Sequence, residues 1–441
     1  MLRKFTLFLG DIAILYGALY GTLLLRYGGD FQSHMDQHII PFTLIFIVWL
    51  IAFYITDLYE ISIAKNSLQF FTRLFYTIIV NAVIALSFFY LIPYFEIAPK
   101  RNLFIFLALA LALFIAWRWL FNRLLIKNGI MNNTLIIGAC PQSYEIYEFL
   151  LKHPQLGYNA LGILDVQEKT AVEILEKLVR QKKARVLVLS PDAYKIPDII
   201  QILYSLLSLR IEFYSLSGFY EQVTGKVPLE VIDQGWFINN LSEGRKRVYE
   251  TASRATDILG AIIMGLVSLI FYPFIMIAIK ASSRGPIFYS HKRIGQAGKI
   301  FTLTKFRSMI ANAEINTGAV WTQENDPRIT KVGSFLRKTR LDELPQLWNI
   351  LKGDMSFVGP RSERPEFHEK LKREIPFYEE RYLIKPGLTG WSQLKFGYGA
   401  SVEDAKGKLQ YDLYYIKNRS LLFDLGIVLK TVNIVLEQAG R

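Results

Sequence analysis

The sequence predicts a membrane protein in three parts. A four-helix transmembrane module covers 1–127, a small α/β Rossmann-like domain covers 128–240, and a second α/β domain covers 245–441, entered through a membrane helix that breaks and returns at 257–280. Three observations predict this. Of the 441 residues 52% are hydrophobic and only 20% are charged, and the apolar residues gather in uninterrupted runs long enough to cross a bilayer. After these runs, short β-rich stretches alternate with helical periodicity, the pattern of a parallel α/β sheet. A later apolar run has basic residues on both flanks and a proline inside it. Disordered, collagen-like and disulfide-scaffold classes are excluded by the same composition, the last because Cys140 is the only cysteine. The net charge of +13 asks for anionic partners; beside membrane segments these are an anionic lipid bilayer and phosphates, and no nucleic acid is expected.

The first run, 5–25, is interrupted only by Asp11; 39–56 and 74–95 contain no charge; 103–121 contains only Arg118, close enough to an end for its stem to snorkel. A cleaved signal peptide fits poorly, because the first run is too long and three more follow. Lys and Arg beside the spans give the orientation. Arg3, Lys4, Lys65, Arg73, Arg118, Arg123 and Lys127 face one side, and Arg26, Lys100 and Arg101 the other. Both ends of the module are therefore expected in the cytoplasm.

Composition changes at Asn128. Residues 134–139 read as a buried strand entering a glycine turn, 144–151 as a helix, and 160–164 and 185–190 as further strands. A dinucleotide site is not expected here. Gly138 stands alone where three glycines are needed, and Pro141 occupies the turn whose amides would cradle a pyrophosphate. A structural or regulatory module is the better reading.

Residues 258–278 are uncharged and apolar between Asp257 and Lys280. Arg245, Lys246, Arg247 and Arg254 precede the run, and Lys280, Arg284, Lys292 and Arg293 follow it. Positive flanks on both sides place both ends in the cytoplasm. Pro273 inside the run forces a kink or a break. A helix that enters, breaks and returns satisfies all three facts, against an ordinary fifth span with a kink.

A hairpin signal comes next, with β-rich runs at 286–290 and 299–309 separated by a glycine-containing turn. Lys305 and Arg307 lie two apart, so strand alternation puts both cations on one face. That face suits a diphosphate, or is a solvated basic surface near lipid. Leu344, Leu347, Trp348 and Leu351 recur at helical spacing and place Asp342 and Glu343 in a first helical turn. There the dipole and free amides keep a carboxylate ionised and attract phosphate. An ionised aspartate can attack phosphorus or bind Mg²⁺; plain capping is the alternative. Loops at 354–366 and 385–391 bring Arg361 among glycines and prolines, while 421–436 suits an interfacial or core helix.

In order, Lys305-Phe306-Arg307-Ser308-Met309, Leu341-Asp342-Glu343-Leu344-Pro345-Gln346, Ser356-Phe357-Val358-Gly359-Pro360-Arg361 and Pro386-Gly387-Leu388-Thr389-Gly390-Trp391 resemble the bacterial sugar transferases, the monotopic polyprenyl-phosphate phosphoglycosyl transferases. The whole chain is similar to the large members that start exopolysaccharide or O-antigen assembly. Ser362 stands where the family carries proline.

This resemblance implies that 245–441 is an α/β catalytic domain whose re-entrant helix breaks at Pro273. It implies transfer of hexose 1-phosphate from a UDP-hexose to undecaprenyl phosphate, with release of UMP. Asp342 would be the nucleophile and an Mg²⁺ ligand, Glu343 its partner, and Lys305, Arg307, Arg340 and Arg361 the phosphate or nucleotide contacts. Such a protein would sit in the bacterial inner membrane with its soluble domains on the cytoplasmic face. A homodimer is left open. Exchange of one phosphoanhydride for another needs no ATP, and no G-x-x-x-x-G-K-[ST] loop occurs in the chain. Two other classes are weighed: a nucleotide-sugar oxidoreductase using the α/β domain, and a noncatalytic membrane scaffold or regulator.

Overall fold

The predicted spans become helices α1 (Leu2–Tyr27), α2 (Phe31–Ile55), α3 (Leu68–Leu91) and α4 (Pro99–Lys127). These helices carry stretches long and apolar enough to cross a membrane, at Arg3–Ile55, Leu68–Leu91 and Asn102–Leu124. The computed structural model describes residues 2–92, 99–127, 131–167, 171–208, 210–241, 246–311, 313, 326–397, 399 and 401–436. Residues 93–95 of the third predicted span, Asn128 and Arg245 lie outside these. Two units emerge, 1–216 and 217–441, and each is described by itself.

In the first unit, side chains of Phe42, Trp49, Phe53, Phe106 and Phe114 fill the centre of the helical module. Arg118 corrects one expectation. Instead of snorkelling outward it is fully buried and pairs with the equally buried Asp11 across α1 and α4, Nη2 to Oδ2 at 2.6 Å. Its Nη1 donates to the Leu58 carbonyl at 2.9 Å. Two charges in facing helices are tolerable in a membrane interior because each serves as the other's counter-ion.

The α/β portion runs β1 (Asn132–Ile137), α5 (Pro141–Lys152), β2 (Tyr158–Leu164), α6 (Ala171–Gln181), β3 (Val186–Leu189), α7 (Pro197–Ser205) and β4 (Glu212–Ser215). Its sheet order is β2-β1-β3-β4, and every pairing is parallel. All four residues of β3 are buried, as expected of a strand covered on both faces. The fourth strand was not anticipated, since Glu-Phe-Tyr-Ser at a sheet edge has no apolar run to announce it. The turn after α5 grips the helical module: Arg3 Nη1 donates to the Gln155 carbonyl at 3.0 Å, and Gln155 Nε2 donates to the Ser62 carbonyl at 2.5 Å.

The second unit begins with α8 (Leu216–Thr224) and α9 (Gln234–Asn240), followed by α10 (Arg247–Leu269) and α11 (Tyr272–Ser282). The helix breaks after Leu269, just ahead of Pro273 rather than at it. Pro273 therefore sits in the first turn of α11, where its missing N–H is harmless. Both roots of this segment are fixed to the same body. Arg254 donates to the carbonyls of Ile350 and Leu351 at 2.5 and 2.7 Å, and Asp257 accepts from Ser356 Oγ and the Phe357 N–H at 3.0 and 2.9 Å. On the return side, Ile275 and Ile279 pack with Phe306 and Leu336. Between the roots Ile263, Leu266, Ile270 and Phe274 are 62–70% exposed, an apolar tip of the kind water does not tolerate over such an area.

Beyond it come the antiparallel pair β5 (Phe288–Ile294) and β6 (Ile300–Phe306), then α12 (Lys331–Lys338), α13 (Leu347–Lys352), β7 (Ser356–Val358) and α14 (Pro365–Glu374). The chain closes with β8 (Gly387–Thr389), α15 (Trp391–Lys395), α16 (Val402–Asn418) and α17 (Leu421–Leu436). A core of Leu371, Tyr378, Leu409, Leu413 and Ile416 packs α14 and α16 together.

Candidate active site

The acidic pair lies in a 3₁₀ segment, Leu341–Gln346, that runs directly into α13. Entry to it requires a reversal at Arg340, whose φ of 59° is left-handed; a non-glycine residue there costs about 1–2 kcal/mol. The reversal directs the Arg340 side chain back over the segment it starts. Arg340 Nη1 then donates to Glu343 Oε2 at 3.2 Å, and Arg361 Nη2 donates to Glu343 Oε1 at the same distance.

Arg361 arrives from another motif by backbone packing. β7 and β8 pair in parallel, Ser356 with Gly387 and Val358 with Thr389. Gly359 N–H donates to the Thr389 carbonyl and Gly387 N–H to the Pro360 carbonyl, both at 2.9 Å. Side chains have no room here: a Cβ on Gly387 would meet the Gly359 nitrogen at 2.1 Å, and one on Gly390 the Gly359 oxygen at 2.2 Å. The glycines of the two predicted loops are thus what bring those loops into one surface. Ser362, where the motif departs from proline, is held by a donor instead, Arg293 Nη1 to its carbonyl at 2.8 Å.

Beside this surface is a cavity of about 810 Å³. Among the described residues that line it, eleven are Lys or Arg and only Glu363 is acidic, a wall that suits an anion. Lys305, Arg307, Arg340 and Arg361, all anticipated, are in its wall. Lys305 and Arg307 do share a face, but they differ in what they hold. Lys305 lies over the Tyr289 ring, 5.8 Å from its centre. Arg307 already donates to the carbonyls of Ser283 and Arg284, at 2.7 and 3.2 Å, and so ties the return of α11 to β6. Arg364, the second arginine of the 354–366 loop, joins Arg361 in the wall, and Arg293, Arg337 and Arg381 join it unannounced. For Arg337 the neighbouring Lys338 and Arg340 were a usable signal; for Arg293 and Arg381 the partners lie far away in sequence.

Asp342 and Glu343 are adjacent and both nearly buried, at 6% and 9% exposure, yet their surroundings divide them. Burial would raise the Glu343 carboxyl, but Arg361 and Arg340 outweigh it and hold it below its ordinary value. Asp342 accepts no hydrogen bond from a side chain among the described residues, and burial first, then the Glu343 charge, push it up to about 6. Lys305, Arg337 and Arg361 oppose that rise. Lys305 is lowered to about 8 by burial, with Asp342 acting in the opposite direction. The result is one fixed anion bound to two guanidinium groups beside one free carboxylate.

No group of three or more His, Cys, Asp or Glu able to hold a metal occurs among the described residues. Among the described residues, therefore, a cation would not be held by protein side chains alone. Mg²⁺, which takes one or two carboxylates and completes its shell with substrate phosphates and water, fits the free Asp342 carboxylate.

Comparison with known proteins matches residues 248–438 to the family described as bacterial sugar transferase, and 54–188 to one described as CoA-binding domain. The chain is 39% identical over 233 residues to a UDP-N-acetylgalactosamine-undecaprenyl-phosphate N-acetylgalactosaminephosphotransferase of Aeromonas hydrophila, covering 52% of this chain and 53% of that protein. It thus spans about half of that relative's length. It is 31% identical to a UDP-glucose:undecaprenyl-phosphate glucose-1-phosphate transferase of Xanthomonas campestris pv. campestris, over 73% of this chain and 70% of the relative. An undecaprenyl-phosphate galactose phosphotransferase of Salmonella typhimurium is 30% identical over 83% of this chain and 81% of its own. The α/β domain lacks the three-glycine turn of a dinucleotide site, with Gly138 alone after β1. Ligands of such sheets bind where the strand order reverses, here between β1 and β3. At that point a Cβ on Gly138 would lie 1.8 Å from Ser190 Oγ, so the chain's own serine fills the close approach. Pro141 also removes an amide from the first turn of α5.

Proposed function

The chain belongs to the bacterial sugar transferase family, and on that premise we propose that it transfers a hexose 1-phosphate from a UDP-sugar to undecaprenyl phosphate and releases UMP. The observation that carries this reading is the divided carboxylate pair, one free and one held by two arginines, whose neighbouring cations Lys305, Arg337, Arg340 and Arg361 also form the wall of the cavity.

An ionised Asp342 oxygen attacks the β-phosphorus of the nucleotide sugar. The anhydride bond to the α-phosphate breaks, UMP leaves with the bridging oxygen, and the hexose phosphate remains on the aspartate. A phosphate oxygen of the lipid carrier then attacks the same phosphorus and returns Asp342 to its carboxylate form. One anhydride is consumed and one is made, which accounts for a mechanism without ATP. Lys305, Arg340 and Arg361 neutralise the diphosphate and the charge developing on the leaving UMP. Arg307 adds positive charge from the wall while anchoring β6. Glu343 fixes the two arginines at their distance from the nucleophile. Mg²⁺ held at Asp342 would supply further neutralisation of the diphosphate.

The exposed apolar tip between α10 and α11, with both roots fastened to the same domain, supports a re-entrant insertion into the cytoplasmic leaflet of the bacterial inner membrane. This keeps the site at headgroup depth, where a membrane-bound phosphate meets a soluble nucleotide. The reaction is then the first membrane step of exopolysaccharide or O-antigen repeat-unit assembly.

The experiment is UMP release from a panel of UDP-sugars by the full chain in lipid, with Mg²⁺ and undecaprenyl phosphate, for the wild type and Asp342→Asn. One sugar yielding UMP with the wild type alone supports the reading and identifies the donor. Folded protein that releases UMP from no sugar favours a noncatalytic scaffold whose acidic pair only caps a helix, whereas an Asp342→Asn variant as active as the wild type removes Asp342 as the nucleophile.

A further inference from the structure

In the cavity wall, Arg381 is 6% exposed and makes contacts that the reaction above does not use. Its Nη1 donates to the Tyr378 hydroxyl at 2.6 Å, and its Nη2 donates to Asp412 Oδ2 at 2.9 Å and to the backbone carbonyl of Arg361 at 3.0 Å. Asp412, itself almost fully buried, accepts from Ser392 Oγ at 2.6 Å through its other oxygen. The next carbonyl, that of Ser362, is held by Arg293, and the Glu363 carboxylate lies 4.0 Å from both arginines. Two consecutive carbonyls of the loop carrying Arg361 are thus gripped by two guanidinium groups. The Arg361 side chain is about half exposed and reaches Glu343 Oε1 at 3.2 Å and Gln393 Oε1 at 3.4 Å. Its backbone is immobilised while its half-exposed guanidinium lines the cavity.

We propose that Arg381 is a positioning residue for Arg361, fixing the guanidinium that grips the diphosphate of the substrate. This rests on the transferase reading for the identity of the substrate, though the test does not need turnover. A buried arginine that only stabilised the domain would be satisfied by Asp412 and Tyr378. The third bond, to a carbonyl of the anion-binding loop, sets the origin from which the long Arg361 side chain extends. Guanidinium geometry is required, because a lysine ammonium at this position can face Asp412 but cannot span Tyr378, Asp412 and the Arg361 carbonyl together.

The test is a double-mutant cycle on the full chain in lipid nanodiscs, read by UDP binding in calorimetry. Arg381→Lys keeps the buried positive charge beside Asp412 and Glu363, and so keeps the fold, checked by its thermal midpoint; Arg381→Gln is the stronger variant. Arg381→Lys is expected to weaken UDP binding about 10-fold, the scale of one lost charge-assisted hydrogen bond. In an Arg361→Gln background the same change is expected to cost less than about 2-fold, because the group it positions is gone. Turnover is expected to follow, with KM for the UDP-sugar rising more than kcat falls. An equal loss in both backgrounds, or Arg381→Lys binding UDP like the wild type, overturns the proposal and leaves Arg381 structural. A wild type that binds UDP but releases UMP from no sugar would instead count against the transferase reading, with the binding cycle still deciding the role of Arg381.

Discussion

If Asp342 attacks as the carboxylate, activity must fall as it is protonated, and its environment moves that fall into an accessible range. Burial and the Glu343 charge raise its carboxyl from 3.8 to about 6. An ordinary aspartate would be more than nine-tenths ionised at pH 5; one titrating near 6 is only about one-tenth ionised there. The rate kcat/KM should therefore drop about tenfold between its plateau and pH 5, with a limb centred near 6. Glu343 is already ionised in that range, since Arg361 and Arg340 hold it low. Glu343→Gln consequently removes a raising charge and frees two cations to act on Asp342, so the limb must move to lower pH whatever happens to the plateau. Lys305, lowered to about 8 mainly by burial, loses its proton above that value and gives a falling limb on the alkaline side. The assay is initial UMP release under kcat/KM conditions from pH 4.5 to 9.5, with the thermal midpoint followed in parallel to exclude unfolding. A rising limb near 4 in the wild type, or one that stays at 6 in Glu343→Gln, would refute the electrostatic account of the nucleophile.

Other consequences can be checked independently. Asp11→Asn leaves Arg118 buried without a counter-charge and should destabilise the helical module by about 3–5 kcal/mol, whereas removing both charges in Asp11→Leu/Arg118→Met should recover most of it; thermal unfolding in detergent distinguishes the two, and an unaffected Asp11→Asn contradicts the buried pair. With Cys140 replaced by serine, Thr251→Cys and Ser282→Cys should react with an impermeant maleimide from the same, cytoplasmic side of the membrane; labelling from opposite sides would establish a fifth span. EDTA should abolish UMP release and added Mg²⁺ should restore it, while undiminished turnover in EDTA would remove the metal from the mechanism.

Much of the site was legible because its chemistry is local. Two cations two apart on a strand share a face whatever the fold, and Lys305 and Arg307 indeed share the cavity wall. The glycines of 356–361 and 386–391 marked loops, although only the structure explains them, as the contact surface between β7 and β8. What depended on distant partners was not legible. Arg118 reads as a snorkelling residue until α1 presents Asp11 to it across the bundle. Arg307 reads as a free phosphate ligand until α11 returns and offers the Ser283 and Arg284 carbonyls. Adjacent Asp342 and Glu343 are indistinguishable as letters, and only the reversal at Arg340 and the approach of Arg361 decide which of them stays free. Pro273 signalled a break correctly, but a proline is best accommodated in a first turn, so the helix ends before it and a new one starts around it.

The central claim is that a sugar phosphate rests covalently on Asp342. Full-length protein in nanodiscs should be mixed with Mg²⁺ and its UDP-sugar while undecaprenyl phosphate is withheld, then quenched and analysed by intact and peptide mass spectrometry. The account predicts a burst of about one UMP per protein and a hexose-phosphate adduct on the peptide containing Asp342, absent in Asp342→Asn and discharged when the lipid phosphate is added. No burst and no adduct, in protein that turns over once the lipid is supplied, would mean direct transfer between the two substrates and would contradict Asp342 as the nucleophile.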